Sequence, residues 1–127
     1  MSVKIKPQMR KNPQDLEATP KYYAASVADG EIDFDYLATE IIDNCTVTEA
    51  DCLAVLVSFE KQIIKHLQQG KIVRLGRLGS FQVGIRSEGK ETADEVSALA
   101  VIQKRVVFRP GTRMRTMLNN LKFSKVG

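Results

Sequence analysis

Two periodicities divide the chain. Up to Gly30 the spacing is strand-like: Val3-Lys4-Ile5-Lys6 alternates, and Lys21 to Val27 (KYYAASV) reads as a second short strand ended by Asp29-Gly30. Pro7, Pro13 and Pro20 punctuate this stretch, with Asn12-Pro13 as a turn signal. Proline fixes φ and lacks an N–H, so strands here are expected at a sheet edge. From Ile32 the spacing changes to three and four. Asp33 caps a predicted helix in which Tyr36, Leu37, Ile41 and Ile42 recur and which stops near Asn44-Cys45. The β-branched Thr46-Val47-Thr48 interrupts the run. Thr48 then takes the N-cap of a long second helix, with Glu49 and Asp51 in its first turn, where the helix dipole favours carboxylates. That helix runs to about Gln69, and Gly70 suits the position just past its end.

Lys71-Ile72-Val73-Arg74-Leu75 reads as a strand, Gly76 to Gly79 (GRLG) as a turn, and Ser80 to Arg86 (SFQVGIR) as the next strand. Alternation puts Phe81, Val83 and Ile85 on one face of the latter, and Gln82, Gly84 and Arg86 on the other. Ser87 to Thr92 (SEGKET) is a polar loop, and Ala93 to Leu99 fits a single helical turn capped by Thr92. Val101 to Arg109 (VIQKRVVFR) is a third strand, ended by Pro110-Gly111. Thr112 caps a last helix whose apolar side is Met114, Met117, Leu118 and Leu121, and Phe123 adds a short strand in the tail. The predicted order is a strand arm, two helices, three strands and one helix, which is an α+β class. The division drawn from it is an extended N-terminal arm over residues 1–30 and a main domain over 31–127.

The second helix carries a pattern that one chain cannot satisfy. Cys52, Leu53, Ala54, Val55, Leu56, Val57 and Phe59 leave almost no polar stripe in its first half, and Ile63, Ile64 and Leu67 continue the buried face. A helix apolar nearly all round needs cover on more than one side. A chain of 127 residues has little material to supply it, so a second copy is the economical cover and a homodimer is expected.

Composition excludes more than it selects. No run approaches the roughly 18 apolar residues that cross a bilayer. The opening MSVKIKPQMRKNPQ has basic residues without an apolar stretch behind them, so a cytoplasmic location with no membrane partner is expected. Cys45 and Cys52 have six residues between them, no CxxC and no histidine nearby, since the sole histidine is His66; two reduced cysteines, at least one packed in a core, fit this better than a metal site or a disulfide. Gly79-Ser80 lies between strands and outside any GxSxG context, and the glycines at 70, 76 and 79 precede no GK[ST]. The carboxylate pairs Asp33/Asp35 and Glu49/Asp51 sit at helix starts, where capping explains them. No catalytic residue, metal, cofactor or small-molecule substrate is expected, and an enzyme ranks last among the function classes.

Charge is the informative quantity. The net value is +4, but residues 1–30 carry five Lys/Arg against three Asp/Glu (+2), residues 31–70 two against eight (−6), and residues 71–127 twelve against four (+8). In the third strand Gln103, Arg105, Val107 and Arg109 share one face, while Ile102, Val106 and Phe108 share the other. Lys104 breaks the pattern by falling with the apolar set, and is expected at the sheet margin with its stem packed and its charge in water. Arg74 and Arg86 join the polar face from neighbouring strands, and Arg113 and Arg115 extend the charge past the Pro-Gly turn. A row of guanidiniums suits phosphates, which they grip in bidentate fashion and without reading sequence. Any single arginine here fits equally well as a solvated surface charge; the cluster does not.

Gly70 to Val83 (GKIVRLGRLGSFQV) resembles the signature of the HU/IHF family, in which a helix ends at Gly and a strand leads into a G-x-F-x-V turn and strand. Val107-Phe108-Arg109-Pro110-Gly111, followed by a short helix, is similar to that family's F-x-P-G closing element, and the two preceding helices match its helical base in order and length. The resemblance covers roughly residues 32–121. It implies an intertwined homodimer with a helical base and a three-stranded antiparallel saddle on double-stranded DNA. By position it places Arg74, Gln82, Arg86, Arg105 and Arg109 on or near the saddle, Arg113 beside it, Arg77 at the strand turn against phosphate, and Lys104 at the margin.

Two departures qualify what the resemblance implies. The family's arm carries an Arg-Asn-Pro tip whose proline wedges between base steps. Here Ser87 to Leu99 has no proline and holds Glu88, Glu91, Asp94 and Glu95 against Lys90. The first 30 residues are an addition to the basic plan. The chain thus resembles a divergent HU-like branch with an N-terminal extension, of the Bacteroides type. The expectation is a nucleoid-associated architectural protein that binds DNA through phosphates with sharp bending weakened. The alternatives are an HU-fold protein-interaction module that has lost DNA binding, and an RNA binder; the latter lacks exposed stacking aromatics, since Phe81 and Phe108 fall on the core side.

Overall fold

A computed structural model describes residues 1–126. The chain forms two compact units, one from Phe34–Met117 and one from Met1–Asp33 with the segment that begins at Leu118. The class is α+β.

The first of these units opens with helices α1 (Phe34–Ile41) and α2 (Glu49–Gln68). Thr48 caps α2: its backbone is extended and its hydroxyl oxygen accepts the Asp51 N–H at 3.1 Å. The other end closes as a Schellman motif, with Gly70 at φ 78°, its N–H on the Leu67 carbonyl at 3.0 Å and the Lys71 N–H on the His66 carbonyl at 3.1 Å. Because Lys71 is spent on the helix end and the Leu75 N–H on the Gly79 carbonyl (2.8 Å), strand β3 shortens to Val73–Arg74 from the five residues that the pattern predicts.

Strands β3, β4 (Gly79–Ser87) and β5 (Val101–Pro110) form an antiparallel sheet in that order. Its closure depends on Gly79, which has φ 150° and lies so close to β5 that an added Cβ would stand 2.5 Å from the Arg109 carbonyl oxygen and 2.6 Å from the Phe108 ring. Between β4 and β5 the Glu88 N–H meets the Ala100 carbonyl at 2.9 Å and closes a loop. The single helical turn expected there is instead two 3₁₀ turns, Ala93–Glu95 and Ala98–Ala100, separated by extended backbone at Val96 and Ser97. Thr92 makes no capping bond; the Ser97 hydroxyl oxygen does, accepting from the Leu99 N–H.

Helix α3 (Thr112–Asn119) starts one residue before the predicted point, so Thr112 is its first residue and not its cap. The Gly111 carbonyl accepts the Arg115 N–H, and the N–H groups of Gly111 and Arg113 donate to the carbonyls of Leu78 and Arg77. The β3–β4 turn therefore satisfies the free end of α3, and no side-chain cap is needed.

This unit has a thin core. The buried apolar residues are Ala38 on α1, Cys52 on α2 and Ala100 before β5, beside a Phe81–Phe108 edge-to-face pair with centroids 5.0 Å apart. Val55 of α2 is 65% exposed, and Val57, Phe59 and Ile64 of the same helix are also exposed. Cys45 and Cys52 are both free thiols, the first exposed and the second buried.

The other unit is a second three-stranded sheet of β1 (Val3–Arg10), β2 (Lys21–Val27) and β6 (Phe123–Lys125), in the order β2-β1-β6. β1 and β2 are an antiparallel hairpin, and β6 adds parallel to β1. The expected edge position for proline is met in an unexpected way. β1 is the central strand, but β6 pairs only with Val3 to Ile5, so at Pro7 the strand has β2 on one side and no strand on the other. The tail strand found its partner in the first residues of the chain, which local patterning cannot indicate.

Replacing Thr48 by Ala should lower the unfolding free energy by about 1 kcal/mol, because the Asp51 N–H loses its only capping acceptor. Urea unfolding of the two proteins followed by circular dichroism measures this.

Candidate functional site

The register of the β3-β4-β5 sheet decides which side chains share a face. Arg74 is opposite Ser80 and Ser80 opposite Arg109; Gln82 is opposite Val107, Gly84 opposite Arg105, and Arg86 opposite Gln103. Residues directly opposite one another point to the same side, and alternate residues along a strand do too. Arg74, Gln82, Arg86, Gln103, Arg105 and Arg109 therefore line one face. Val73, Phe81, Val83, Ile85, Val106 and Phe108 line the other. The only irregularity is between Arg86 and Ser87, at the far end of the pairing, so the alternation is unbroken across the row.

Gly84 has a specific part in this face. The Arg105 guanidinium lies across it, so that an added Cβ would stand 3.1 Å from Arg105 Cζ, and Arg105 Nη1 reaches the Ile85 carbonyl oxygen at 3.5 Å. The glycine leaves room for the arginine to lie over the strand, where a larger residue would lift it.

The positive charge of the row is uncompensated. Among the described residues the ion pairs are Lys4–Asp29 and Lys90–Glu88, and neither involves an arginine of this sheet. At the β3–β4 turn an open depression of about 350 Å³ collects Arg74, Arg109 and Arg115 with Ser80 and Thr112 around glycine backbone. Arg115 is the residue that the sequence placed only as an extension of the charge. Its signal was its position in the first turn after Pro110-Gly111, but which way it faces depends on how α3 leaves β5.

The other expected residues fall elsewhere. Arg77 is in the turn and Arg113 in the first turn of α3, joined through the Arg113 N–H and the Arg77 carbonyl at 3.2 Å. They adjoin the row in the chain without lying on the sheet face. Lys104 is opposite Ile85, on the apolar face and exposed, so the structure separates it from the arginines. The loop after β4 keeps the acidic character read from sequence: its one lysine, Lys90, pairs with Glu88 at 3.3 Å, which leaves Glu91, Asp94 and Glu95. Its apolar residues Val96 and Leu99 are exposed, Leu99 at 92%.

Among the described residues no group of three or more His, Cys, Asp or Glu side chains is arranged to hold a metal ion. No described helix is long and apolar enough to cross a membrane.

Comparison with known proteins identifies the arrangement. The chain is 27% identical over 90 residues to integration host factor subunit alpha from Vibrio campbellii (strain ATCC BAA-1116), covering 68% of this chain and 90% of that protein. The same values hold for the subunit from Vibrio parahaemolyticus serotype O3:K6 (strain RIMD 2210633). The fold is similar to a crystal structure from Bacteroides vulgatus ATCC 8482, assigned as a bacterial DNA-binding protein, with TM-score 0.67 and 15% identity. All of this chain is matched but only 50% of that one, so the chain spans half the length of its structural neighbour. The family model that matches residues 1–125, described as an HU domain fused to wHTH, Ig, or glycine-rich motif, takes in the N-terminal hairpin and β6 as well as the helices and the arginine-bearing sheet. The chain belongs to this HU-HIG family, within the HU/IHF-like proteins.

Proposed function

We propose that this protein binds double-stranded DNA through phosphate contacts with little sequence preference, as an architectural, nucleoid-associated protein of the cytoplasm and not as an enzyme. The observation that carries this reading is the single face on which Arg74, Gln82, Arg86, Gln103, Arg105 and Arg109 come together with no carboxylate paired to the arginines. Guanidiniums in that state favour a polyanion, and a B-form duplex releases counterions when they bind. Similarity to integration host factor subunit alpha, and to a structure assigned as DNA-binding, supports the same partner. Arg77 and Arg113 contact phosphates from the turn, Arg115 joins Arg74 and Arg109 in the depression beside it, and Lys104 contributes from the margin through its long stem.

The binding form is an intertwined homodimer, with α1 and α2 as a helical base and the β3-β4-β5 sheets as a saddle. Its support is the apolar surface left open by one chain, above all Val55, Val57, Phe59 and Ile64 on α2. By this reading residues 1–30 are an added arm and 31–127 the DNA-binding domain. The loop after β4 is acidic, lacks proline and is broken into short turns, so it is a poor wedge for the minor groove, and binding proceeds without a sharp kink.

Fluorescence anisotropy with a random-sequence duplex across a salt series tests the central claim. Affinity should fall steeply with salt, and Arg105→Ala with Arg109→Ala should reduce the magnitude of the log–log slope by about 2, near 0.9 for each lost phosphate contact. No binding at low salt would sink the DNA reading and favour the protein-interaction module. End-labelled duplexes should show little change in FRET efficiency on saturation; a large change would contradict the reading of the loop. In sedimentation equilibrium the protein should run at twice the chain mass, and Val55→Asp should shift it towards the monomer.

A further inference from the structure

The N-terminal hairpin repeats, independently, the division of faces found in the arginine-bearing sheet. Lys4 is opposite Val27, Lys6 opposite Ala25, Gln8 opposite Tyr23, and Arg10 opposite Lys21. One face of the hairpin therefore carries Lys4, Lys6, Arg10 and Lys21 with Gln8 and Tyr23, while Val3, Ile5, Pro7 and Met9 lie on the other. Lys4 is neutralised by Asp29 at 3.4 Å. The remaining three cations have no ion-pair partner among the described residues.

Arg10 and Lys21 are the informative pair. Like charges directly opposite on paired strands destabilise a sheet, yet here they close the hairpin, with Lys11 next in the chain. Arg10 is held over the Tyr23 ring, its Cζ 5.8 Å from the centroid. An open depression of about 530 Å³ lies beside them, lined by Arg10, Lys11, Asn12, Thr19, Lys21 and Tyr23. The loop carboxylates do not enter it: Asp15 turns back to accept the Glu17 N–H at 3.2 Å, and neither residue lines the depression. We propose that this end of the hairpin is a second phosphate-binding surface, formed by Arg10, Lys11 and Lys21, and that its ligand is the backbone of duplex DNA.

The shape argues for a polyanion over a small anion. The depression is open and its cations are exposed, so a free anion would lose little water and gain little hold. The row continues from Arg10 back to Lys6, a span of about 13 Å for strand backbone, which suits successive phosphates. The choice of DNA as that polyanion rests on the reading proposed above for the arginine-bearing sheet. The gain for the hairpin itself is that phosphate between Arg10 and Lys21 removes the repulsion that the unliganded strand pair carries.

The test uses the full chain. Arg10→Ala/Lys11→Ala/Lys21→Ala should bind a random-sequence duplex at least tenfold more weakly at low salt, with the magnitude of the salt slope reduced by about 3. Its thermal midpoint without DNA should not fall, because a like-charge pair has been removed. Lys125→Ala, on the opposite face of this sheet, should leave both affinity and slope unchanged. A benzophenone amino acid at position 12 should crosslink to labelled duplex in the otherwise unaltered protein. If the triple variant is folded and keeps the unaltered slope, and position 12 does not crosslink, the proposal is overturned, while a loss of binding in Arg105→Ala/Arg109→Ala still upholds the sheet. If the triple variant loses binding and Arg105→Ala/Arg109→Ala does not, the hairpin stands and the sheet reading falls. Absence of duplex binding by the unaltered protein overturns both.

Discussion

With Phe81 opposite Phe108 and their rings edge to face at 5.0 Å, β4 and β5 have one register that keeps the aromatic residues together. A slip of one residue would send every side chain of the moved strand to the other face. The arginines would then meet Val83, Ile85 and Val106, and the phenylalanines would separate. That register depends in turn on Gly79, whose missing side chain lets β4 start against the Arg109 carbonyl and the Phe108 ring. The turn before it then offers the carbonyls of Arg77 and Leu78 to α3. One close backbone approach thus fixes the sheet, the start of the last helix and the face on which Arg74, Arg105 and Arg109 stand together.

The same unit buries little. Ala38, Cys52 and Ala100 are small, and the large apolar residues of α2 remain in contact with water in the single chain. At roughly 25 cal/mol per Å² of apolar area, that exposed surface represents stabilisation not yet realised. This is the physical basis for the proposed dimer. It also explains how a short polar sheet face can be held flat enough to serve a long ligand: its opposite face is wholly apolar apart from Lys104, and seeks cover.

Much of the fold was legible because it is written in local patterns. Thr48 and Gly70 mark the ends of α2 by capping chemistry that acts within a few residues. Strict alternation separated Gln103, Arg105 and Arg109 from Val106 and Phe108, and it also separated Lys104 from the arginines. Less legible were the points where neighbours compete for the same backbone groups. β3 lost its ends to a helix cap and a turn, and α3 took its first bonds from carbonyls more than thirty residues away in the chain. The loop after β4 divided into two turns because Val96 and Ser97 stay extended, which no propensity scale distinguishes from one short helix.

The sequence by itself determined the class, the order of elements, the two faces of each strand and the concentration of positive charge after residue 70. These follow from periodicity, capping and composition, all of which act locally. The tertiary structure alone decided which strands are neighbours. It set β6 against β1, gave Pro7 an edge inside a central strand, laid Arg105 over Gly84, and brought Arg115 to Arg74 and Arg109. Each of these depends on register or packing between segments far apart in the chain, where the stabilising contacts exist only once the strands have met.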